Sequence, residues 1–153
     1  ESVVKKKLVV LVVLALLLAV IPTMVVCAKT IVVRVRADME WVETGFYVEA
    51  GKSYKISSHG IAWTGSPSLY PDSKSGPAGQ TWGGGCSLND PALPCNLDGA
   101  PYGALIGNVD GISFLIGDAD SFVAPASGVL FLGVNDDLIY HADNQAGFTV
   151  QFK

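Results

Sequence analysis

The sequence contains few of the side chains on which enzymes and nucleic-acid-binding proteins depend. Its 153 residues include two histidines, three cysteines and ten lysines and arginines, against fourteen aspartates and glutamates. Nucleic-acid binding requires clustered Lys and Arg that neutralise phosphates, and an acidic chain does not supply them. Neither the Gly-x-Ser-x-Gly nucleophile motif nor the His-Glu-x-x-His zinc motif is present. We therefore expect no nucleic-acid partner and no catalytic activity.

One long stretch near the N-terminus lacks charge altogether. Three lysines, Lys5 to Lys7, precede an apolar run that begins at Leu8 and ends with small residues at Ala28. This order predicts a secretory signal peptide cleaved after Ala28. Because the run approaches the roughly 20 residues that span a bilayer, an uncleaved membrane anchor over residues 1–28 is the alternative.

The remainder, residues 29–153, is expected to form one domain outside the cytoplasm, either secreted or at the cell surface. Seven Lys and Arg against thirteen Asp and Glu give it a net charge of −6. Its two cysteines, Cys86 and Cys95, enclose the segment CSLNDPALPC. An even pair in an exported domain predicts a disulfide, which would stabilise the fold by about 2–3 kcal/mol. A two-cysteine metal site is the rival, although it would need further His or Cys ligands nearby.

No helical periodicity is present after residue 28. Short apolar segments, several with period two, are separated by Gly, Pro and Asx turns about ten residues apart, which is typical of an antiparallel β-sandwich. The fold class is therefore predicted to be all-β. His59, at the end of one segment, is expected to be structural and not a ligand. We predict a hairpin of strands 46–49 and 53–59, and further strands over residues 31–37, 103–107, 112–116, 121–124, 128–134 and 148–152.

The segment 64–102 has no periodicity and is rich in Gly, Pro, Ser, Asn and Asp. A loop of this length in a compact domain is usually functional or disordered, and the predicted disulfide favours order. Aromatic residues are interspersed along it or just before it. They either cover the core beneath the loop or form a platform for sugar rings. These residues are Trp63, Tyr70, Trp82 and Tyr102.

The most polar loop joins the last two predicted strands, and five Asx residues crowd it: Asn135, Asp136, Asp137, Asp143 and Asn144. Their oxygens suit a hard cation such as Ca²⁺, which takes roughly 6–8 oxygen ligands at about 2.3–2.6 Å. The alternative is a polar hairpin whose Asx residues only form turns. On one loop, the aspartates fit metal ligands better than the two carboxylates that flank a bond in glycoside hydrolysis.

Four segments carry a further signal: WVETGFYVEAGKSYKISSHGIAW, GALIG, APASGVLFLGVNDD and DNQAGFTVQF. Together, over roughly residues 35–152, they resemble the LecA-type calcium-dependent galactophilic lectins. The resemblance implies a small jelly-roll-like antiparallel β-sandwich with one Ca²⁺, which holds the loop and coordinates two sugar hydroxyls. The implied ligands are the side chains of Asp136, Asp143 and Asn144 and the main-chain carbonyls of Thr64 and Tyr140.

The chain differs from this family at the residues that contact the sugar. In this family a His and a Gln on a short loop contact the sugar, whereas the corresponding segment here, residues 71–101, is longer and contains no His. Asp137 replaces an apolar residue beside the sugar. Galactose specificity is therefore not expected to carry over. We expect a secreted, calcium-dependent carbohydrate-binding module whose sugar contacts are Asp136, Asp137, Asp143, Trp63 and Trp82.

The alternative is a non-catalytic surface or filament subunit in which Ca²⁺ only stabilises the loop. Copies of such a subunit would associate through an edge strand over residues 31–37, giving a homo-oligomer or polymer. A membrane would be a partner only through residues 1–28, if these are retained.

Overall fold

The structure, a computed structural model, describes residues 30–80 and 95–153. The predicted segment 1–28 and the residues Trp82 and Cys86 lie outside this range. Within it, strands make up two antiparallel sheets packed face to face, so the predicted all-β sandwich is confirmed. The strands are β1 (Ile31–Arg36), β2 (Val42–Val48), β3 (Ser53–Trp63), β4 (Lys74–Ser75), β5 (Leu105–Val109), β6 (Ile112–Leu115), β7 (Ser121–Val123), β8 (Gly128–Val134) and β9 (Gln145–Phe152).

One sheet has the order β1-β9-β3-β4, with β7 also pairing with β3, and the other has the order β2-β8-β5-β6. The last strand, β9, lies between β1 and β3 and pairs with both along its length. Because β9 follows the Asx loop directly, the loop is anchored to the middle of a sheet. In the described residues, no helix is long and apolar enough to cross a membrane.

The period-two pattern read from the sequence determines which face of each strand is buried. In β1, Val33 and Val35 face the core while Arg34 and Arg36 are exposed. Side chains from both sheets meet in one core, each contributing roughly 1.5–3 kcal/mol when fully buried. Fully buried members include Val35, Val48, Ile56, Leu105, Leu130, Leu132, Phe148 and Val150.

The predicted hairpin of residues 46–49 and 53–59 is wrong. Both segments are strands, but β2 pairs with β8 and β3 pairs with β9, in different sheets. The Gly51 turn between them is tied to the end of β7: Gly51 N–H donates to the Ala124 carbonyl, and Ala124 N–H donates to the Lys52 carbonyl. The chain crosses between sheets because Val48 and Ile56 both enter the shared core.

Strand ends bring distant parts of the chain together at one end of the sandwich. The last residues of β1 and β3 lie beside the first residues of β9, with Arg36 opposite Gly147 and Trp63 opposite Gln145. Gly147 has φ +141°, and a Cβ there would lie 2.0 Å from the Val35 carbonyl oxygen. Only glycine allows β9 to begin between its two neighbours, so this position fixes where the Asx loop rejoins the sheet.

Candidate functional site

A cleft of about 710 Å³ opens at this end of the sandwich. It collects residues from the loop after β3, the segment before β5 and the Asx loop after β8. Its lining consists of Thr64, Gly65, Leu69, Tyr70, Pro71, Asp72, Ser73, Gln80, Tyr102, Asp136, Asp137, Tyr140 and Asp143. Seven residues named from the sequence therefore meet here: Thr64, Tyr70, Tyr102, Asp136, Asp137, Tyr140 and Asp143.

Asp136 follows β8 and is 5% exposed, although it lines the cleft. Its Oδ2 accepts a hydrogen bond from Asn144 Nδ2 at 2.6 Å. Burial raises the pKa of the Asp136 carboxyl, because the charged form loses hydration, and the Asn144 hydrogen bond only partly opposes this. The nearby His141 ring lowers the pKa by a smaller amount. The carboxylate is therefore an incompletely compensated charge.

Asn144 holds three chain segments together. Its Nδ2 donates to the Ala37 carbonyl at 3.1 Å as well as to Asp136, and its Oδ1 accepts the Gly65 N–H at 2.7 Å. The side chain thus links the end of β1, the loop after β3 and the Asx loop. Asn144 contacts Asp136 through Nδ2, which cannot bind a metal. To be a ligand, Asn144 would have to use the second lone pair of Oδ1, or its amide would have to rotate.

The remaining predicted ligands, Thr64, Tyr140 and Asp143, all line the cleft. Tyr140 precedes a 3₁₀ turn at His141–Asp143, and its carbonyl accepts the Asp143 N–H at 3.3 Å. Asp143 is exposed. Thr64 N–H donates to the Ser73 carbonyl at 3.1 Å, and the Gln80 side-chain amide donates to Thr64 Oγ1 at 3.1 Å.

Asp137 stands beside the predicted metal ligands. Its Oδ1 accepts a hydrogen bond from the Tyr102 hydroxyl at 3.0 Å, so the loop before β5 contacts the Asx loop. Asp137 also forms an isolated antiparallel bridge with Cys95. These contacts fix both the backbone and the side chain of Asp137 from outside its own loop.

Asn135 is a structural residue, and its role was not evident from the sequence. It is fully buried; its Oδ1 accepts Leu97 N–H at 2.9 Å and its Nδ2 donates to the Leu97, Ala100 and Pro101 carbonyls at 3.0–3.3 Å. One amide therefore pins residues 97–101 against the end of β8. The adjacent Asp136 points instead to the cleft, a difference that the clustering of Asx residues could not reveal.

The two histidines differ in burial, which the sequence did not predict. His59 lies exposed on β3 and does not line the cleft. His141 is buried, and its Nε2 lies 3.0 Å from Asn96 Oδ1. It supports the 3₁₀ turn that carries Asp143 and is thus the histidine that bears on the site.

Of the two predicted aromatic sugar contacts, Trp63 is half-buried on β3 and is not part of the lining. Trp82 lies outside the described residues, so its predicted role is not tested. Cys95 is buried, but its predicted partner Cys86 also lies outside them, so the disulfide stays a prediction. The lining adds residues that the sequence did not single out: Leu69, Asp72, Ser73 and Gln80. Only their position in the segment after Thr64 pointed towards them.

The donor set can be tested for its fit to a metal ion. In the part of the chain that is described, no group of three or more His, Cys, Asp or Glu side chains is arranged to hold a metal. The predicted set does not depend on such a group, since it has two carboxylates, Asp136 and Asp143, completed by amide and main-chain oxygens. All these donors are oxygens, as Ca²⁺ prefers, and the described lining contains no Lys, Arg or His that would compete for the carboxylates.

Comparison with known proteins supports the fold. The structure is similar to that of the EclA N-terminal domain, a PllA-like lectin, with a TM-score of 0.59 and 21% sequence identity. The match covers 79% of this chain and 92% of that domain. No protein-family model matches the sequence, and no curated protein matches it. At this identity the likeness establishes a shared sandwich fold, and the resemblance to LecA-type lectins in particular stays a prediction.

Proposed function

We propose that this domain is a non-catalytic, calcium-dependent carbohydrate-binding module whose binding site is the cleft beside Asp136. One observation carries the proposal: a carboxylate that is 5% exposed opens on a cleft whose described lining contains no basic side chain. Burying a charge is costly unless an opposite charge compensates it. A divalent cation held by Asp136, Asp143 and the facing oxygens would supply that charge.

The cleft also has the chemistry that a sugar requires. Side-chain hydroxyl and amide groups, including those of Ser73 and Gln80, lie beside the apolar rim formed by Leu69, Tyr70 and Tyr140. Each of these three rim side chains is more than half exposed. Flat apolar side chains contact the C–H face of a sugar ring, while its hydroxyls replace water on the metal. The lectin name of the similar domain agrees with this use of the fold.

A binding role is preferred to catalysis because of where the carboxylates lie. Asp136, Asp137 and Asp143 belong to one loop, with the metal position between Asp136 and Asp143 in the proposal. Two of the three would then be occupied as ligands. General acid–base hydrolysis of a glycoside needs two free carboxyl groups on opposite sides of the bond.

A glycan array in calcium and in chelator tests the proposal. The full chain should be kept in a detergent without a sugar headgroup, so that the detergent does not compete. We expect binding to some glycans in calcium and its loss in chelator. Asp136→Asn should lose it as well, whereas Asp120→Asn, an exposed aspartate beside β7 outside the cleft, should not. Binding that survives chelation, or no binding to any glycan, would refute the proposal.

A second candidate is the structural subunit, which one observation favours. Among the described residues β1 is an edge strand that pairs only with β9. Its outer edge could add a strand from a second copy. Native mass spectrometry with N-terminal sequencing distinguishes the two: large polymers that retain residues 1–28 would favour the filament, and small discrete particles beginning near Lys29 would favour the secreted module.

A further inference from the structure

We infer that the outer face of the β1-β9-β3-β4 sheet binds a linear anionic polysaccharide, one whose sugars carry carboxylate or sulfate groups. The outer face is the side of this sheet that points away from the core. The inference goes beyond the proposed function, because it concerns a different surface and does not require calcium.

Positive charge in this acidic domain is concentrated on one sheet. Residues 30–80 and 95–153 include six Lys and Arg and twelve Asp and Glu. The strands of the β1-β9-β3-β4 sheet, with β7, contain none of the twelve acids, whereas the strands of the other sheet contain Glu43 and no Lys or Arg. Four of the six basic residues lie on the strands of the first sheet: Arg34, Arg36, Lys55 and Lys74.

The strand pattern places these four side chains on the outer face. In β1, Arg34 and Arg36 are exposed and alternate with buried valines. In β3 and β4, Lys55 and Lys74 are exposed and each precedes a buried residue. Successive side chains on a strand point to opposite faces, so all four point away from the core. The face extends roughly 27 Å along β9 and roughly 14 Å across the four strands.

Most of these cations have no carboxylate partner. Arg36 is paired with Asp38, which follows β1. The other ion pair among the described residues joins Lys52 to Glu49, in the turn between β2 and β3. Asp72 and Asp120 flank β4 and β7 but form no ion pair with the sheet. The cations that remain available to an external anion are Arg34, Lys55 and Lys74.

Neutral polar side chains lie between the cations. The register sets Thr149 of β9 between Arg34 of β1 and His59 of β3. Two residues further along β9, Gln151 is partly exposed on the same face, opposite Ser57. Hydroxyl, amide and imidazole groups exchange hydrogen bonds with sugar hydroxyls, while guanidinium and ammonium groups bind carboxylate or sulfate. The face thus combines the two kinds of contact that a charged sugar chain needs.

Trp63 adds an aromatic side chain at one end of this face. The sequence predicts it as a sugar contact, but it does not line the cleft. It is half-buried on β3, with Gln145 opposite it on β9 and Lys74 opposite it on β4. An indole ring contacts the C–H face of a sugar, and the neighbouring cation is placed for an anionic substituent of that sugar. The outer face therefore has a sugar-binding feature besides its charge.

A polysaccharide fits this face better than a more densely charged polymer does. Duplex DNA carries one negative charge per about 1.7 Å of its axis, and its binding depends on clustered cations that neutralise phosphates. Here the unpaired cations are separated by neutral groups, on a domain whose net charge is −6. An anionic polysaccharide has uncharged hydroxyls between its charges and matches that wider spacing.

Fluorescence anisotropy with labelled oligomers tests the inference. The probes are a polygalacturonate oligomer, a heparin oligomer, a neutral dextran oligomer and a DNA duplex of equal length. The first two distinguish carboxylate from sulfate as the bound group. The full chain is kept in an uncharged detergent without a sugar headgroup, and chelator is present throughout, so that the cleft holds no calcium.

We expect one or both anionic oligosaccharides to bind, the dextran not to bind, and the DNA to bind at least about tenfold more weakly. Binding should be lost at 1 M salt, where the Debye length is about 3 Å. Arg34→Gln and Lys74→Gln should each weaken it by at least about threefold, and the double variant by at least about tenfold. Lys52→Gln removes the same charge from the turn between β2 and β3 and should leave binding unchanged. Trp63→Leu should weaken oligosaccharide binding but not DNA binding.

The contrary results are equally specific. No binding of either anionic oligosaccharide would refute the inference. Equal binding of the DNA, or an equal loss in Lys52→Gln and Arg34→Gln, would show general charge attraction and refute it as well. Unchanged binding in Trp63→Leu would refute the aromatic contact. Melting temperatures in chelator verify that each variant is folded.

The two surfaces fail or succeed independently. The cleft is judged on neutral glycans, whose binding is lost in chelator. The outer face is judged on anionic oligosaccharides, whose binding persists in chelator. Arg34→Gln should keep the calcium-dependent binding of neutral glycans while losing affinity for the anionic ones. Loss of both in this variant would refute the separation of the two surfaces.

Discussion

Asp136→Asn is the substitution that most directly tests how the site is built. It removes the charge of a side chain that is 5% exposed while keeping its size. The new amide retains an oxygen that can accept the hydrogen bond from Asn144 Nδ2, now 2.6 Å from Asp136 Oδ2. Any change in the free energy of unfolding therefore reflects the loss of the charge and of the metal bound to it, and not a change in side-chain size.

The expected magnitude in calcium comes from mass action. A ligand at a hundredfold excess over its Kd stabilises the folded state by about 2.7 kcal/mol. The entropy of unfolding is about 2.1 cal/mol/K per residue, or about 0.26 kcal/mol/K over residues 29–153. The melting temperature of the unaltered protein should therefore rise by about 10 °C in calcium, and that of Asp136→Asn should not rise.

In chelator the order is expected to reverse. The unaltered protein keeps a desolvated carboxylate with no cation, and burial raises the pKa of that group. The variant has no such charge, so its melting temperature should exceed that of the unaltered protein. The two proteins thus exchange order between the two conditions, which a general loss of stability cannot produce.

Differential scanning calorimetry with calcium and with chelator measures all four melting temperatures. Three results would contradict the reasoning. An unaltered protein that melts equally in both conditions has no calcium site. A variant that keeps the full shift shows that Asp136 is not a ligand. A variant that melts several degrees lower in chelator shows that the buried charge is compensated by the protein itself.

Three other predictions concern pH, a strand junction and a buried amide. In chelator, the unfolding free energy of the unaltered protein relative to Asp136→Asn should fall as pH rises from about 3.9, the pKa of Asp in the unfolded chain, through the raised pKa of Asp136 in the folded state, because the folded state holds that proton more tightly. In calcium, which binds the ionised carboxylate, this trend should reverse. Equilibrium denaturation across pH measures both trends. Gly147→Ala should cost more than about 3 kcal/mol, since its Cβ would meet the Val35 carbonyl at 2.0 Å, whereas Gly51→Ala has open space and should cost only about 1–2 kcal/mol for its left-handed φ. Equal losses in urea denaturation would contradict the close approach at Gly147. Asn135→Ala should cost about 2–4 kcal/mol, because it leaves buried groups of residues 97–101 unsatisfied, and a loss below about 1 kcal/mol would show that this loop is not held by the amide.

Local sequence patterns predicted part of the fold. The period-two pattern and turn residues predicted the all-β class and most strand positions, since both are properties of neighbouring residues. They could not predict strand partners. The short Gly51 turn indicated a hairpin, yet β2 and β3 pair in different sheets, because burying Val48 and Ile56 in one core outweighs a local ladder between them.

The Asx loop itself was visible in the sequence, and so was its suitability for a hard cation. What each polar side chain does there was decided by the tertiary structure. Asn135 and Asp136 are neighbours of similar shape, but one turns towards residues 97–101 and the other towards the cleft. Composition determined that oxygen donors crowd this loop; long-range contacts decided which of them face the cleft, because side-chain direction depends on where β8 ends against segments far away in the chain.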